Sequence, residues 1–460
     1  MKEFDSLYFV GAGGIGMAAL ERYFLAQGKR VAGYDRTPSD LTHALEREGV
    51  HIDYDEDPAL IPDACRDPEH TLVVYTPAVP DSHRGLQYFR ANGFEVVKRA
   101  ALLGVVTRHS RGLCFAGTHG KTTTSSMAAH ILHSSGIGCN AFLGGVLRNY
   151  NSNFLLSTTS PYSVIEADEF DRSFHHLSPY VAVVTSTDPD HLDIYGTPEA
   201  YLESFAHFTE LIQPGGALIV HTGLALQPRV GEGVTIYTYS RDNGDFHAVN
   251  VRKGDGQITF DLVTPWETLS DITLGVPVDI NIENAIAAMA ACRLVNVPLQ
   301  AMRDAVATFQ GAKRRFEFWI KEPGEHGKVM IDDYAHHPDE LRASISSVRD
   351  LYPGRQLTVI FQPHLYTRTR DFAPEFAAAL SLADEVILLP IYPAREEPIP
   401  GVTSEIILQK VTSAKKIIYS KENLIKSIHL SNFDVLLTVG AGDIANLLPQ
   451  ICDEFNKQEH

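Results

Sequence analysis

Cysteine is scarce in this chain. Five residues (Cys65, Cys114, Cys139, Cys292 and Cys452) are scattered over 460 positions, and no two stand in C-x-x-C spacing. That pattern argues against a disulfide framework or a zinc ribbon and favours a reducing, cytoplasmic setting. Long hydrophobic runs are also lacking. No stretch approaches the roughly 20 apolar residues that a membrane helix needs. The first apolar run, residues 7–10, is too short for a signal-peptide core. Positive charge is in deficit: 39 Lys and Arg stand against 57 Asp and Glu, a net charge of −18. Such a surface repels phosphate backbones, so neither nucleic acid nor an anionic membrane is an expected partner. Any anionic ligand must be held by local positive features. Solenoid-period repeats and low-complexity tails are absent as well. The length suggests two to four domains, with three the central expectation.

Strand-like and helix-like segments alternate almost throughout, the pattern of parallel α/β layers. The first block reads as a strand at 7–10, a glycine turn, a helix at 16–27 and a strand at 30–34. Further strands follow near 71–75 and 95–97. A new start comes with a buried-type strand at 112–116 and a helix at 123–133. Strands at 162–167, 181–185 and 217–221 are continuous apolar runs, which predicts central, buried positions. Between 230 and 277 short polar–apolar alternation predicts an antiparallel insertion, with turns at 242–244 and 253–256. An alanine-rich helix at 284–295 follows. A third series of strands is expected at 328–331, 357–361, 385–389, 416–419 and 434–439.

The chemistry-bearing motifs lie at the ends of these strands. Gly11-Ala12-Gly13-Gly14-Ile15-Gly16 holds G-x-G-x-x-G between a strand and a helix. Its glycines let backbone N–H groups approach a diphosphate, and Asp35, about 20 residues on, can accept hydrogen bonds from a ribose. A dinucleotide and a nucleotide sugar need the same cradle. Gly117-Thr118-His119-Gly120-Lys121-Thr122 is a second phosphate loop with shorter glycine spacing than usual. Lys121 can neutralise β/γ-phosphate oxygens, and the Thr122 hydroxyl can sit on Mg²⁺. Acidic clusters at 166–171 and 188–193 end two buried-type strands, and Glu166 and His191 are candidate metal ligands. Arg314 and Arg315 stand where the second and third blocks meet and could contact phosphate. The clusters 332–338, with His336, and 361–370, with Arg368, end two strands of the third block and predict a pocket for an anionic substrate. The expected class is therefore α/β with three domains. A Rossmann-like unit spans 1–108, a P-loop parallel sheet with a small antiparallel insertion spans 109–316, and a second Rossmann-like unit spans 317–460.

In this order, G-A-G-G-I-G-M, G-T-H-G-K-T-T-T, E-A-D-E-F-D, D-P-D-H-L-D-I-Y-G, R-R-F-E, D-D-Y-A-H-H-P and F-Q-P-H-L-Y-T-R-T resemble the motifs of the Mur ligases of peptidoglycan synthesis. The resemblance covers essentially the whole chain. It implies an ATP-dependent enzyme, with Mg²⁺, that joins a carboxylate to an amine through an acyl phosphate. Residues 1–108 would hold the UDP-sugar, 109–316 would hold ATP, and 317–460 would complete the site on closure. Gly13, Gly14, Ile15 and Gly16 would line the UDP site, with Asp35 nearby. Gly117, Thr118, His119, Gly120, Lys121, Thr122 and Thr123 would hold ATP, with Asn281 and Asn284 near the adenosine and Arg315 on the phosphates. Thr122, Glu166 and His191 would hold the metal. His336 and Arg368 would face the product and the amino-acid carboxylate.

Two positions depart from the family pattern. Ile280 stands where a histidine is common, and Leu365 replaces an arginine beside Arg368. No lysine occurs between His191 and Arg229. That absence resembles the branch that adds L-alanine to UDP-N-acetylmuramate, because later-step ligases carry a carbamylated lysine there. The rival expectations are a recycling ligase that attaches a tripeptide to the same sugar nucleotide and, from the first loop alone, a nicotinamide-dependent oxidoreductase.

Overall fold

Every residue of Ser6–Val10 (β1) is buried, as a strand covered on both faces of a parallel sheet requires. The structure is a computed structural model that describes residues 4–76, 78–254, 256–322, 324, 326–394, 396–428 and 433–457. β1 pairs in parallel with Arg30–Tyr34 (β2), which pairs with His51–Asp53 (β3); on its other side lie Thr71–Tyr75 (β4) and then Glu95–Lys98 (β5). The order β3-β2-β1-β4-β5 reverses direction between β1 and β4. A crevice opens at the carboxyl ends of strands where the order reverses. The glycine loop leaves β1 at that point. Gly11 has φ +94°, and a Cβ there would lie 2.7 Å from the Thr76 methyl carbon at the end of β4. The helix that follows the loop runs Ile15–Ala26.

The second sheet has seven strands. Arg111–Ala116 (β6), Asn140–Leu147 (β7), Ser152–Leu155 (β8), Tyr162–Glu166 (β9), Pro179–Val184 (β10), Ala217–His221 (β11) and Thr235–Tyr239 (β12) take the order β12-β11-β10-β6-β9-β7-β8. β6 is central, and only β8 runs antiparallel, against β7. The buried-type runs expected at 162–167, 181–185 and 217–221 are β9, β10 and β11. Two differences stand out. β7 and β8, the latter the edge strand, were not included in the sequence reading. Residues 235–239, placed in the antiparallel insertion, instead pair in parallel with β11. β12 is exposed at its start and buried only at Tyr239, as suits an edge strand, and such a pattern does not specify pairing direction. The insertion itself is smaller: His247–Gly254 (β13), Gln257–Val263 (β14) and Thr268–Thr273 (β15), with β14 in the middle. Of its turn at 253–256, Asp255 lies outside the described residues.

The third sheet contains Glu317–Lys321 (β16), Val329–Asp333 (β17), Leu357–Phe361 (β18), Glu385–Leu388 (β19), Lys415–Ile418 (β20) and Val435–Val439 (β21), in the order β16-β17-β21-β18-β19-β20. β16 is an antiparallel edge strand missing from the sequence reading. In register, Asp333 lies beside Val439 and Val439 beside Phe361. The three motif-bearing loops after β17, β18 and β21 therefore leave the sheet side by side.

By compactness the chain forms two units: 1–248 with 262–269 and 283–306, and 249–261 with 270–282 and 307–460. The first two sheets fall in one unit because they share a buried cluster. Leu7 and Phe9 from the first, with Leu103 of the helix Arg99–Arg108, pack in the same core as Ala116, Phe142 and Ile165 from the second. Among the described residues, no helix is long and apolar enough to cross a membrane.

Candidate functional site

The glycine loop is closed from behind by Asp35. Gly13 N–H donates to Asp35 Oδ2 at 2.7 Å, and a Cβ on Gly13 would lie 2.9 Å from that oxygen. Asp35 thus reaches the loop with its carboxylate bonded to loop backbone. In front of the loop is a cavity of about 270 Å³ whose wall includes Gly14, Ile15, Gly16, Arg99, Glu166 and Asp168.

The second phosphate loop leaves β6 and enters the helix Lys121–Ser134, whose first turn holds Thr122 and Thr123. Gly117 (φ +140°) and Gly120 (φ +81°) adopt left-handed conformations that disfavour side chains, and a Cβ on Gly117 would lie 2.1 Å from Thr185 Oγ1. Side chains hold the loop open. The Thr118 hydroxyl donates to the Asp188 carbonyl at 2.7 Å and shares a 2.9 Å hydrogen bond with the buried Tyr201. His119 N–H donates to Ser186 Oγ at 2.8 Å. Lys121 Nζ donates to its own loop's Gly117 carbonyl at 2.6 Å and to Glu169 Oε1 at 2.8 Å, with Oε2 also at 2.8 Å. Burial pushes the Glu169 carboxyl up, and the Lys121 ammonium opposes that shift without cancelling it.

The Thr122 hydroxyl donates to Glu166 Oε1 at 2.9 Å, and Glu166 Oε2 accepts from Gly144 N–H at 2.9 Å. This hydroxyl–carboxylate pair is the hard-oxygen donor set that Mg²⁺ takes. His191 makes its contacts elsewhere: its ring lies edge-on to Phe170, and Nε2 is 3.7 Å from Asp190 Oδ2. Asn284 is buried behind the loop. Thr124 donates to its Oδ1 at 3.1 Å, and a Cβ on Gly120 would lie 2.8 Å from the same oxygen. Asn281 donates to the Val276 carbonyl at 3.1 Å.

In the third sheet the two adjacent arginines divide. Arg314, at φ +62°, is built into the fold. It donates to the Gly440 carbonyl at 2.5 Å and to Asp332 at 3.3 Å, and its guanidinium stacks over Tyr334. Asp332 is fully buried. Burial pushes its carboxyl up to about 6 against the opposing pull of Arg314 and of the Thr438 hydroxyl. Arg315 is exposed, with no acid in ion-pair distance among the described residues.

Beyond β17 and β18, His336 and His364 face each other with ring centroids 6.0 Å apart, and His364 stacks on Tyr392. Burial, then the Arg368 and His336 charges, hold His364 below its ordinary value, so it is neutral near pH 7. Nη1 of Arg368 and Nδ1 of His364 are buried without a hydrogen-bond partner among the described residues. A buried guanidinium N–H without an acceptor is costly and suits an anion. Leu365, at φ +70°, turns the chain between them.

The sequence reading passed over three of these residues. Glu169 and His364 lie inside quoted motifs, three residues from Glu166 and four from Arg368. Arg99 lies in no motif, and its signal is a cation at a helix start.

A P-loop sheet and two further sheets with glycine turns at their strand ends define an α/β protein of the nucleotide-binding class, with three domains. The Mur ligase family, catalytic domain, matches residues 6–111; the Mur ligase middle domain matches 115–292; and the Mur ligase, glutamate ligase domain, matches 314–442. The chain belongs to the Mur ligase family. It is 60% identical to a UDP-N-acetylmuramate–L-alanine ligase of Parabacteroides distasonis and 58% identical to one of Phocaeicola vulgatus, over 98% of each chain. Among solved structures, the UDP-N-acetylmuramate–alanine ligase of Thermotoga maritima matches with a TM-score of 0.78 at 26% identity, over 98% of this chain and 99% of that one. A murein peptide ligase of Psychrobacter arcticus shares the fold, with a TM-score of 0.61 at 22% identity over 98% of both chains.

Proposed function

We propose that the protein joins L-alanine to the lactyl carboxylate of UDP-N-acetylmuramate, converting ATP to ADP and phosphate. The reading rests on identity of up to 60% across 98% of the chain to ligases that carry this name. The glycine loop is taken as a sugar-nucleotide cradle rather than a nicotinamide site. Residues 1–108 hold the UDP-sugar, 109–316 hold ATP, and 317–460 receive the amino acid.

A carboxylate oxygen is a poor leaving group, so the lactyl carboxylate first attacks the γ-phosphorus of ATP. An acyl phosphate forms and ADP leaves. Lys121 offsets the charge on the transferring phosphoryl group, and the loop N–H groups orient it. Thr122 and Glu166, with His191, would hold Mg²⁺, which when bound neutralises phosphate oxygens. Arg315 binds ATP phosphate, while Asn281 and Asn284 shape the nucleotide side. Arg368 takes the carboxylate of L-alanine in a two-pronged bond. The neutral amine attacks the acyl carbon, a tetrahedral intermediate forms, and phosphate departs. His336 orients or deprotonates the amine.

The test is ADP release coupled to a spectrophotometric assay, with UDP-N-acetylmuramate and L-alanine, glycine, L-serine or the tripeptide of recycling. Turnover is expected with L-alanine. Turnover with the tripeptide and none with L-alanine would replace this reading with the recycling ligase.

A further inference from the structure

The helix Arg99–Arg108 begins with two adjacent cations, Lys98 at its cap and Arg99 at its first position, and its first turn contains no acid. A helix start favours negative charge, so two cations there oppose the helix dipole. Lys98 is compensated by Asp171, whose Oδ2 lies 2.7 Å from Nζ. Arg99 has no such partner: among the described residues no carboxylate lies within 4 Å of its guanidinium. A breach of a local rule without a structural gain marks a functional position.

The position of Arg99 supplies the function. Its guanidinium crosses directly over the glycine loop, where a Cβ on Gly16 would lie 2.8 Å from Nη1 and 3.3 Å from Cζ. A side chain at position 16 would push the guanidinium away from the loop. Arg99 and Gly16 line the same cavity of about 270 Å³ as Glu166, Asp168, Leu103 and Phe142. The cavity is therefore polarised. Its cation stands at the glycine loop, and Glu166 stands beside Thr122. An anionic group entering it is drawn to the Arg99 side and repelled from the Glu166 side unless a cation intervenes. In a chain with a net charge of −18, such a local cation is what an anion needs.

Resting on the sugar-nucleotide reading above, we infer that Arg99 binds the diphosphate of UDP-N-acetylmuramate and clamps it against Gly14–Gly16, positioning the sugar for phosphoryl transfer. The backbone N–H groups of the loop then serve one face of the diphosphate and the guanidinium serves the other. Two parallel N–H···O bonds from an arginine fix orientation as well as charge.

The experiment is calorimetric binding of UDP, UDP-N-acetylglucosamine and UDP-N-acetylmuramate to the full-length protein and to Arg99→Gln, with ATP binding and the thermal midpoint as folding controls. Arg99→Gln is expected to weaken all three uridine nucleotides by about 10- to 100-fold, as loss of a charged two-pronged bond does, and to leave ATP affinity unchanged. Unchanged UDP affinity overturns the inference. So does weakening confined to UDP-N-acetylmuramate, which would give Arg99 to the lactyl carboxylate. If Arg99→Gln fails to fold, Arg99→Lys is decisive: UDP affinity falling several-fold supports the clamp, and UDP affinity retained overturns it. Wild-type protein that binds none of the three would instead sink the sugar-nucleotide reading itself.

Discussion

The ammonium of Lys121 lies 2.8 Å from both carboxylate oxygens of Glu169, and Glu169 is only 1% exposed. The lysine proposed to meet ATP phosphates is thus already committed to a buried acid. Tyr195 fixes that acid by donating its hydroxyl to the Glu169 carbonyl at 2.5 Å. The following residues Asp171 and Arg172 hold left-handed conformations at φ +52° and +54°, which cost roughly 1–2 kcal/mol each.

This pairing gives Lys121→Ala two separable effects. Turnover is expected to fall at least about 10²-fold, because a fixed charge on the transferring phosphoryl group is lost. Stability is expected to fall by about 3–5 kcal/mol, because a buried carboxylate is left unpaired. Adding Glu169→Gln should restore the thermal midpoint and leave turnover low. Calorimetric melts and steady-state kinetics on the single and double variants check both effects. Recovery of activity in the double variant would contradict a direct role for Lys121.

Thr122 and Glu166 form one donor pair 2.9 Å apart, so their variants should share a signature. Thr122→Ala and Glu166→Gln are each expected to raise the magnesium concentration for half-maximal activity by about tenfold or more, since each removes one of few protein oxygens on an ion that keeps several waters. Activity titrated against MgCl₂ at fixed ATP measures this. His191→Ala tests whether the histidine joins them: a magnesium requirement equal to wild type removes it from the set.

Arg368 has a buried Nη1 without a partner. Arg368→Ala is expected to raise the KM for L-alanine by roughly 10²-fold, corresponding to about 3 kcal/mol of charged hydrogen bonding. The KM for ATP should change far less. Arg368→Lys should recover only part, because a point charge cannot reproduce the fork. An unchanged alanine KM would assign carboxylate recognition to another residue.

Asp332 carries a pH dependence with a definite sign. Burial raises its carboxyl from 3.8 to about 6, so the folded state holds its proton more tightly than the unfolded chain does. The stability this group contributes is complete below about pH 4 and is lost as pH rises through 6. Asp332→Asn removes that slope. Relative to wild type, the variant should gain stability on going from pH 4 to pH 7, as read from denaturant unfolding at each pH. A difference independent of pH would mean that Asp332 titrates normally.

Much of this was legible because parallel strands advertise themselves. Val181–Thr185 and Leu357–Phe361 are apolar on both faces, and their motifs sit at the carboxyl ends where a parallel sheet puts them. The edges were less legible. β12 is exposed over its first half, and β16 is three apolar residues between charged ends, and neither pattern fixes direction or partner. Arg314 and Arg315 could not be separated by type. Only the tertiary contacts with Asp332, Tyr334 and Gly440 commit the first and leave the second exposed. Arg99 was invisible to motif reading because its partner surface, Gly16, is 83 residues away in sequence and meets it only through the packing of the first sheet.

The core shared by the first two sheets bears on how the chain can be dissected. Gly104, on the helix Arg99–Arg108, comes so close to the His176 carbonyl oxygen that an added Cβ would lie 2.2 Å from it. The same cluster joins Leu103 to Phe174 and Leu177. A cut near residue 108 would therefore follow a border in topology while splitting one cohesive body. A fragment ending there would present a wet, sticky flank and would tend to self-associate. A fragment that keeps both sheets retains its interior whole. Shuffling the sugar-nucleotide module between relatives thus requires exchanging the matching surface of the nucleotide module with it.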